Sequence, residues 1–217
     1  MSRRPIVAID GPAGSGKSTL GRGLAAALAM PYVNTGQMYR AVTARALALG
    51  ADLDDGDALG AIAGNLRFEL DDEVVPPELR IDGRLPADDL LTPEVEAAVS
   101  LVARHPQVRG VLAREQRRLG SDGGVVEGRD IGTVVFPHAD VKLFLDVNPL
   151  VRASRRTAER DAEDQETVEA LALRDALDAR TNPLEPAGDA IVLDNEGRSP
   201  NEVLAEALAL VRSRLEG

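Results

Sequence analysis

The feature that most constrains this 217-residue chain is a short apolar run, Pro5-Ile6-Val7-Ala8-Ile9-Asp10, that stops abruptly at Gly11-Pro12-Ala13-Gly14-Ser15-Gly16-Lys17-Ser18. A continuous apolar run of this length marks a strand buried on both faces. The segment behind it carries every fixed position of G-x-x-x-x-G-K-[ST]. Glycines there let successive backbone N–H groups turn inward around an anion, at angles a Cβ would oppose. Lys17 to Met30 is rich in Ala and Leu and reads as a helix, so its positive end faces the same anion. A strand running in and a helix running out argue against a chance match. The expectation is a nucleoside triphosphate held by Gly11, Pro12, Ala13, Gly14, Ser15, Gly16, Lys17, Ser18 and Thr19. Lys17 reaches the β- and γ-phosphates as a catalytic cation, and the Ser18 hydroxyl ligates Mg²⁺.

Four further runs read as strands: Tyr32-Val33-Asn34, Gly124 to Glu127, Val141 to Asp146 and Ala190 to Asp194. Helical patterns lie between them, including one from about Gly36 to Leu49 capped by Thr35 and closed by Gly50. An amphipathic helix follows from about Pro200 to Leu215. This alternation predicts an α/β fold with a parallel five-stranded sheet flanked by helices, of the P-loop nucleotide-binding type. The middle breaks the pattern. Leu66 to Leu70 and Glu78 to Gly83 alternate around a Pro-Pro turn and predict an antiparallel hairpin, with a third strand before Thr92. Helices are expected over Pro93 to about Arg104 and Gln107 to Leu119. The core is therefore assigned to 1–65 and 111–217, with a small antiparallel β and helical insertion at 66–110 that reaches over a ligand.

Composition narrows the partners. With 25 basic against 36 acidic residues the formal charge is −11, the opposite of what binding to duplex phosphates calls for. No nucleic-acid partner is expected. The start shows no secretory pattern and nothing approaches the roughly 18 apolar residues of a membrane span, so no membrane partner is expected either. The chain has no cysteine, which removes disulfides and thiolate chemistry and suits a cytoplasmic location. A monomer is expected.

Three more blocks then define a second site: Thr35-Gly36-Gln37-Met38-Tyr39-Arg40, the run Val126-Glu127-Gly128-Arg129-Asp130-Ile131-Gly132-Thr133-Val134-Val135-Phe136-Pro137, and Arg174-Asp175-Ala176-Leu177-Asp178. With the glycine-rich loop, in this order and nearly end to end, they resemble bacterial cytidylate kinase. The resemblance implies transfer of the γ-phosphate of ATP to CMP or dCMP. It implies that Thr35, Tyr39, Arg40, Ser100, Arg109, Arg129, Asp130, Arg174 and Asp178 bind the acceptor. Arginine forks suit a phosphate carrying about two charges. Asp130, accepting from the cytosine amine, would reject uracil, whose carbonyl there leaves a carboxylate facing a lone pair. From the residues alone, Arg40 reads equally as a solvated helix residue, Ser100 reads as a helix residue and Arg109 as surface, while Arg129-Asp130, two charges between a buried strand and an apolar run, read as functional rather than as a structural ion pair. One departure stands out: Arg180 comes two residues after Asp178, where the family commonly places an arginine three after.

Arg152, Arg155, Arg156 and Arg160 fall on one helical stripe. Pairing with Glu159, Asp161 and Glu163 explains such a stripe. The resemblance instead implies a short helical lid over about 149–165, with Arg152 and Arg156 acting on the transferred phosphoryl group. The acceptor's oxygen is already ionised at neutral pH, so no general base is needed, and His105 and His138 read as structural. Glu127, at a strand end, is a candidate partner of Mg²⁺ that acts through a group ligating the ion. The alternatives are a kinase for UMP or AMP and a non-catalytic nucleotide-binding regulator; a guanine-reading Asn-Lys-x-Asp run is absent.

Overall fold

The structure, a computed structural model, describes residues 4–148, 151 and 184–216. Strand β1 (Ile6–Asp10) is buried along its whole length. It pairs in parallel with β5 (Gly124–Gly128) on one edge and with β6 (Val141–Asp146) on the other. Beyond these lie β2 (Tyr32–Asn34) next to β5 and β7 (Ile191–Asp194) next to β6, giving the order β2-β5-β1-β6-β7. Side chains on a strand alternate between faces. Val7 and Ile9 therefore join Val125, Leu143 and Leu145 in one core, against α1 (Lys17–Leu28) and α6 (Pro200–Glu216). Ala8 joins Val33 and Val126 in the other, against α2 (Thr35–Ala48), α3 (Gly56–Asn65) and α5 (Pro106–Gly120). The five expected strands and the parallel sheet are all present.

The hairpin is present as β3 (Phe68–Asp71) and β4 (Glu78–Ile81), joined by a connection with a cis Val75–Pro76 bond. The expected third strand is absent among the described residues. Residues Asp88–Leu91 form a short 3₁₀ helix instead, and only an isolated bridge ties Ile81 to Arg84. Its Leu90 is buried, and one inward residue on a single turn serves that burial better than an alternating edge. The helix after it, α4, spans Pro93–Ala103 with Thr92 accepting from the Val95 N–H. Helix α3 was not foreseen. Three glycines weaken its pattern, and Asp55 caps it by accepting from Asp57 N and Ala58 N.

Phe68 and Leu79 from the hairpin and Leu90 and Val102 beyond it are buried in the same core as Ala8, Val33 and Val126. The inserted residues thus share one hydrophobic interior with the sheet. Phe68 is 1 % exposed. Phe68→Ala is expected to cost about 3–5 kcal/mol, read as a lowered urea midpoint in a single transition monitored by far-UV circular dichroism.

Candidate functional site

Among the described residues, the glycine-rich loop, Thr35, Glu127 and Asp130 collect at the C-terminal ends of β1, β5 and β2, where a sheet of this kind binds ligands. Strand β1 must turn sharply here. Gly11 has φ 152, and a Cβ on it would stand 2.7 Å from the Leu145 carbonyl oxygen. Gly16, with φ 89, is the N-cap of α1 and supplies no side-chain cap to the first turn. That arrangement suits an oxyanion, whose oxygens complete the helix end. Lys17 Nζ curls back to donate to the Pro12 carbonyl at 2.6 Å. A strut from the far edge of the sheet braces the loop: Asn195, just past β7, is buried and donates from Nδ2 to the Ser15 carbonyl at 2.7 Å.

Beside the loop, Ser18 Oγ donates to Glu127 Oε1 at 2.7 Å, and the Tyr32 hydroxyl donates to the same oxygen at 2.7 Å. Glu127 is 2 % exposed, and its other oxygen, Oε2, is buried without a hydrogen bond. An orphaned carboxylate oxygen costs free energy unless a proton donor or a cation meets it. A hydroxyl and a carboxylate form a hard oxygen donor set. Among the described residues no three His, Cys, Asp or Glu side chains converge as a complete metal cage. Burial, reinforced by Glu127, raises the Tyr32 phenol, which stays a neutral donor.

The cap of α2 differs from expectation. Asn34, not Thr35, is the N-cap and accepts from Gln37 N, while the Thr35 hydroxyl donates to the Glu127 carbonyl at 2.7 Å. Both residue types cap helices. The buried strand carbonyl facing Thr35 needs a donor more than the helix end does, so the cap falls to the residue before.

A single cavity of about 180 Å³ joins the two halves of the site. Ala13, Gly14, Lys17 and Ser18 line one side. Thr35, Tyr39, Arg40, Ser100, Arg109, Arg129 and Asp130 line the other. Gly11, Pro12, Ser15, Gly16 and Thr19 shape the loop from behind rather than lining the cavity. Helix α4 contributes Ser100 and α5 contributes Arg109, so these two helices form a wall of the pocket. Arg152, Arg156, Arg174 and Asp178, with Arg155, Arg160 and Arg180, lie outside the described residues.

Carboxylates hold the cations in place. Arg40 donates from Nε to Glu96 Oε1 at 2.6 Å, with both side chains largely buried. Arg109 Nη2 meets Asp130 Oδ2 at 2.7 Å, so Asp130 pairs with Arg109, 21 residues away in the chain. Burial pushes the Tyr39 phenol up to about 12. His105 accepts a structural place, with Nε2 2.9 Å from the Leu53 carbonyl oxygen. Sequence reading missed Glu96, Asn195 and Asp10. Asp10, at the end of β1, accepts from the backbone N–H groups of Ile131 and Gly132, each at 2.7 Å. Only the apolar-to-acidic break at Asp10 hinted at it.

A sequence model described as cytidylate kinase matches residues 7–213. The chain belongs to the cytidylate kinase family. It is 41 % identical to a cytidylate kinase from Geobacillus kaustophilus over 99 % of this chain and 100 % of that one. It is 44 % identical to a bifunctional pantoate ligase/cytidylate kinase from a Synechococcus strain, over 99 % of this chain. Of that relative the chain spans 46 %, about half the length. A solved structure from Thermus thermophilus, 21 % identical, covers 100 % of both chains at a TM-score of 0.50 and shows the fold. No helix among the described residues is long and apolar enough to cross a membrane.

Burial, the largest influence, raises the Asp10 carboxyl from 3.8 to about 6 despite its two N–H donors. The folded protein holds this proton more tightly than the unfolded chain does. The stability it contributes is therefore full below about pH 4 and is lost as pH rises through about 6. Asp10→Asn removes that dependence. Relative to this variant, the wild type is expected to lose up to about 3 kcal/mol between pH 4 and pH 7, measured by urea unfolding.

Proposed function

We propose that this protein transfers the γ-phosphate of ATP to CMP or dCMP, giving ADP and CDP or dCDP. The observation that carries the reading is the shared cavity, which sets Lys17 and Ser18 opposite Arg40, Arg109, Arg129 and Asp130. Donor and acceptor phosphates bound at the two ends would meet between them. The reaction needs positioning and neutralisation of charge more than it needs acid–base chemistry. In this reading the loop from Gly11 to Thr19 holds the triphosphate. Arg40 and Arg129, beside Thr35, hold the acceptor phosphate. Ser100, Arg109 and Asp130 read the cytosine, with Tyr39 packed beside them. Asp178 and Arg174 are assigned to the ribose and phosphate, and Arg152 and Arg156 to a lid that excludes water, all by resemblance.

Ser18 and Glu127 would hold the protein's side of a Mg²⁺ site. When bound, the ion neutralises charge on the β- and γ-phosphate oxygens. The acceptor oxygen is ionised before it attacks the γ-phosphorus, the bond to the β,γ-bridging oxygen breaks, and no proton transfer is required. We further assign residues 66–110 to acceptor binding and about 149–165 to the lid. The protein is taken as a cytoplasmic monomer with no nucleic-acid or membrane partner. The acidic balance and the lack of cysteine support this assignment.

Transfer from ATP should be compared for CMP, dCMP, UMP and AMP. CMP and dCMP are expected to lead, and a higher kcat/KM for UMP or AMP than for both cytidine nucleotides overturns the assignment. Lys17→Ala is expected to lower kcat by at least about a hundredfold while leaving the circular dichroism melt unchanged. Glu127→Gln is expected to weaken Mg²⁺ binding in the presence of nucleotide, read by titration calorimetry as well as by rate.

A further inference from the structure

We propose that Asp10 is the positioning residue for the base-reading carboxylate Asp130, and so sets acceptor specificity without touching the acceptor. The proposal rests on the cytidine-nucleotide reading above. Residues Ile131–Val135 form a single π-helical turn, with Asp130 at its N-terminal boundary. The peptide unit joining Asp130 to Ile131 is gripped at both ends. Its carbonyl accepts from Val134 N at 2.8 Å and from Val135 N at 3.2 Å. Its N–H donates to Asp10 Oδ1, and the next N–H, of Gly132, donates to Oδ2.

A peptide plane fixed at carbonyl and amide gives Asp130 a defined point of departure, from which its side chain reaches to Arg109. Only a carboxylate supplies two acceptor oxygens at the spacing of two successive N–H groups. An asparagine supplies one and turns its own N–H₂ toward the second donor. The grip is independent of the Arg109 ion pair, which holds the far end of the same side chain. The space around it is also tight: a Cβ on Gly132 would stand 3.3 Å from Asp10 Oδ2 and 3.1 Å from the Lys142 Cδ. Asp10 closes β1 immediately before the phosphate loop, so one residue links the strand that presents the donor to the turn that reads the acceptor.

The test compares kcat/KM for CMP with that for UMP in the wild type, Asp10→Asn and Gly132→Ala. The ratio does not depend on how much of a variant is folded, so partial instability leaves it readable. Gly132→Ala crowds the same grip from the other side and keeps the Asp10 charge. Loss of one buried hydrogen bond is expected to lower the CMP-to-UMP ratio about tenfold in both variants, with the KM for ATP within about twofold of wild type. A purely structural role lowers CMP and UMP use equally, and an unchanged ratio in both variants overturns the proposal. A wild type with no preference for CMP overturns the acceptor reading itself, and this inference with it. A wild-type preference that survives in the variants overturns only the role of Asp10.

Discussion

A strand hydrogen-bonded on both edges and apolar on both faces has only its ends left for chemistry, and β1 is such a strand. Its neighbours β5 and β6 cover its edges, and α1 and α2 lie with the two cores on its faces. The carboxyl end opens onto a glycine whose φ no other side chain adopts easily, then onto the start of a helix. Asp10, Gly11 and Gly16 therefore do their work at the one place where the buried scaffold releases backbone donors. The positions of Ser18, Glu127 and Asp130 follow, because β5 runs in register beside β1 and ends level with it.

The chain is strongly acidic, yet cationic side chains gather at the cavity. Each recorded pairing there has a geometric consequence. Glu96 takes the Nε of Arg40, a residue that lines the pocket. Asp130 takes Arg109, and Glu127 takes both Ser18 and Tyr32. Buried pairs of this type contribute modestly to net stability, since desolvation offsets their attraction. Their value lies in fixing direction. A phosphate entering such a pocket meets cationic side chains already held by their carboxylates, which lowers the ordering cost of binding.

Much of this was legible in the sequence, and the reasons are local. The loop from Gly11 to Ser18, the five apolar runs and the helix from Pro200 each carry their signal within a dozen residues. Arg40, Arg129 and Asp130 come from the motif blocks and line one cavity, while Arg109 lines it from outside any of those blocks. What escaped depends on partners far along the chain. Asn34 and Thr35 are both good caps, and a carbonyl on β5 chose between them. The π turn after Asp130 owes its shape to a carboxylate 121 residues earlier. The stretch before Thr92 looked like a strand because nothing local showed that only Leu90 needed burying. Glu96 carried no local signal, since the arginine it holds lies 56 residues upstream.

The strut from Asn195 to the Ser15 carbonyl spans 180 residues of sequence. During synthesis, the phosphate loop leaves the ribosome well before β7 does. The nascent chain therefore exposes a glycine-rich anion loop long before its brace exists. A chain interrupted ahead of β7 therefore lacks the side-chain brace that the far edge of the sheet gives the Ser15 carbonyl.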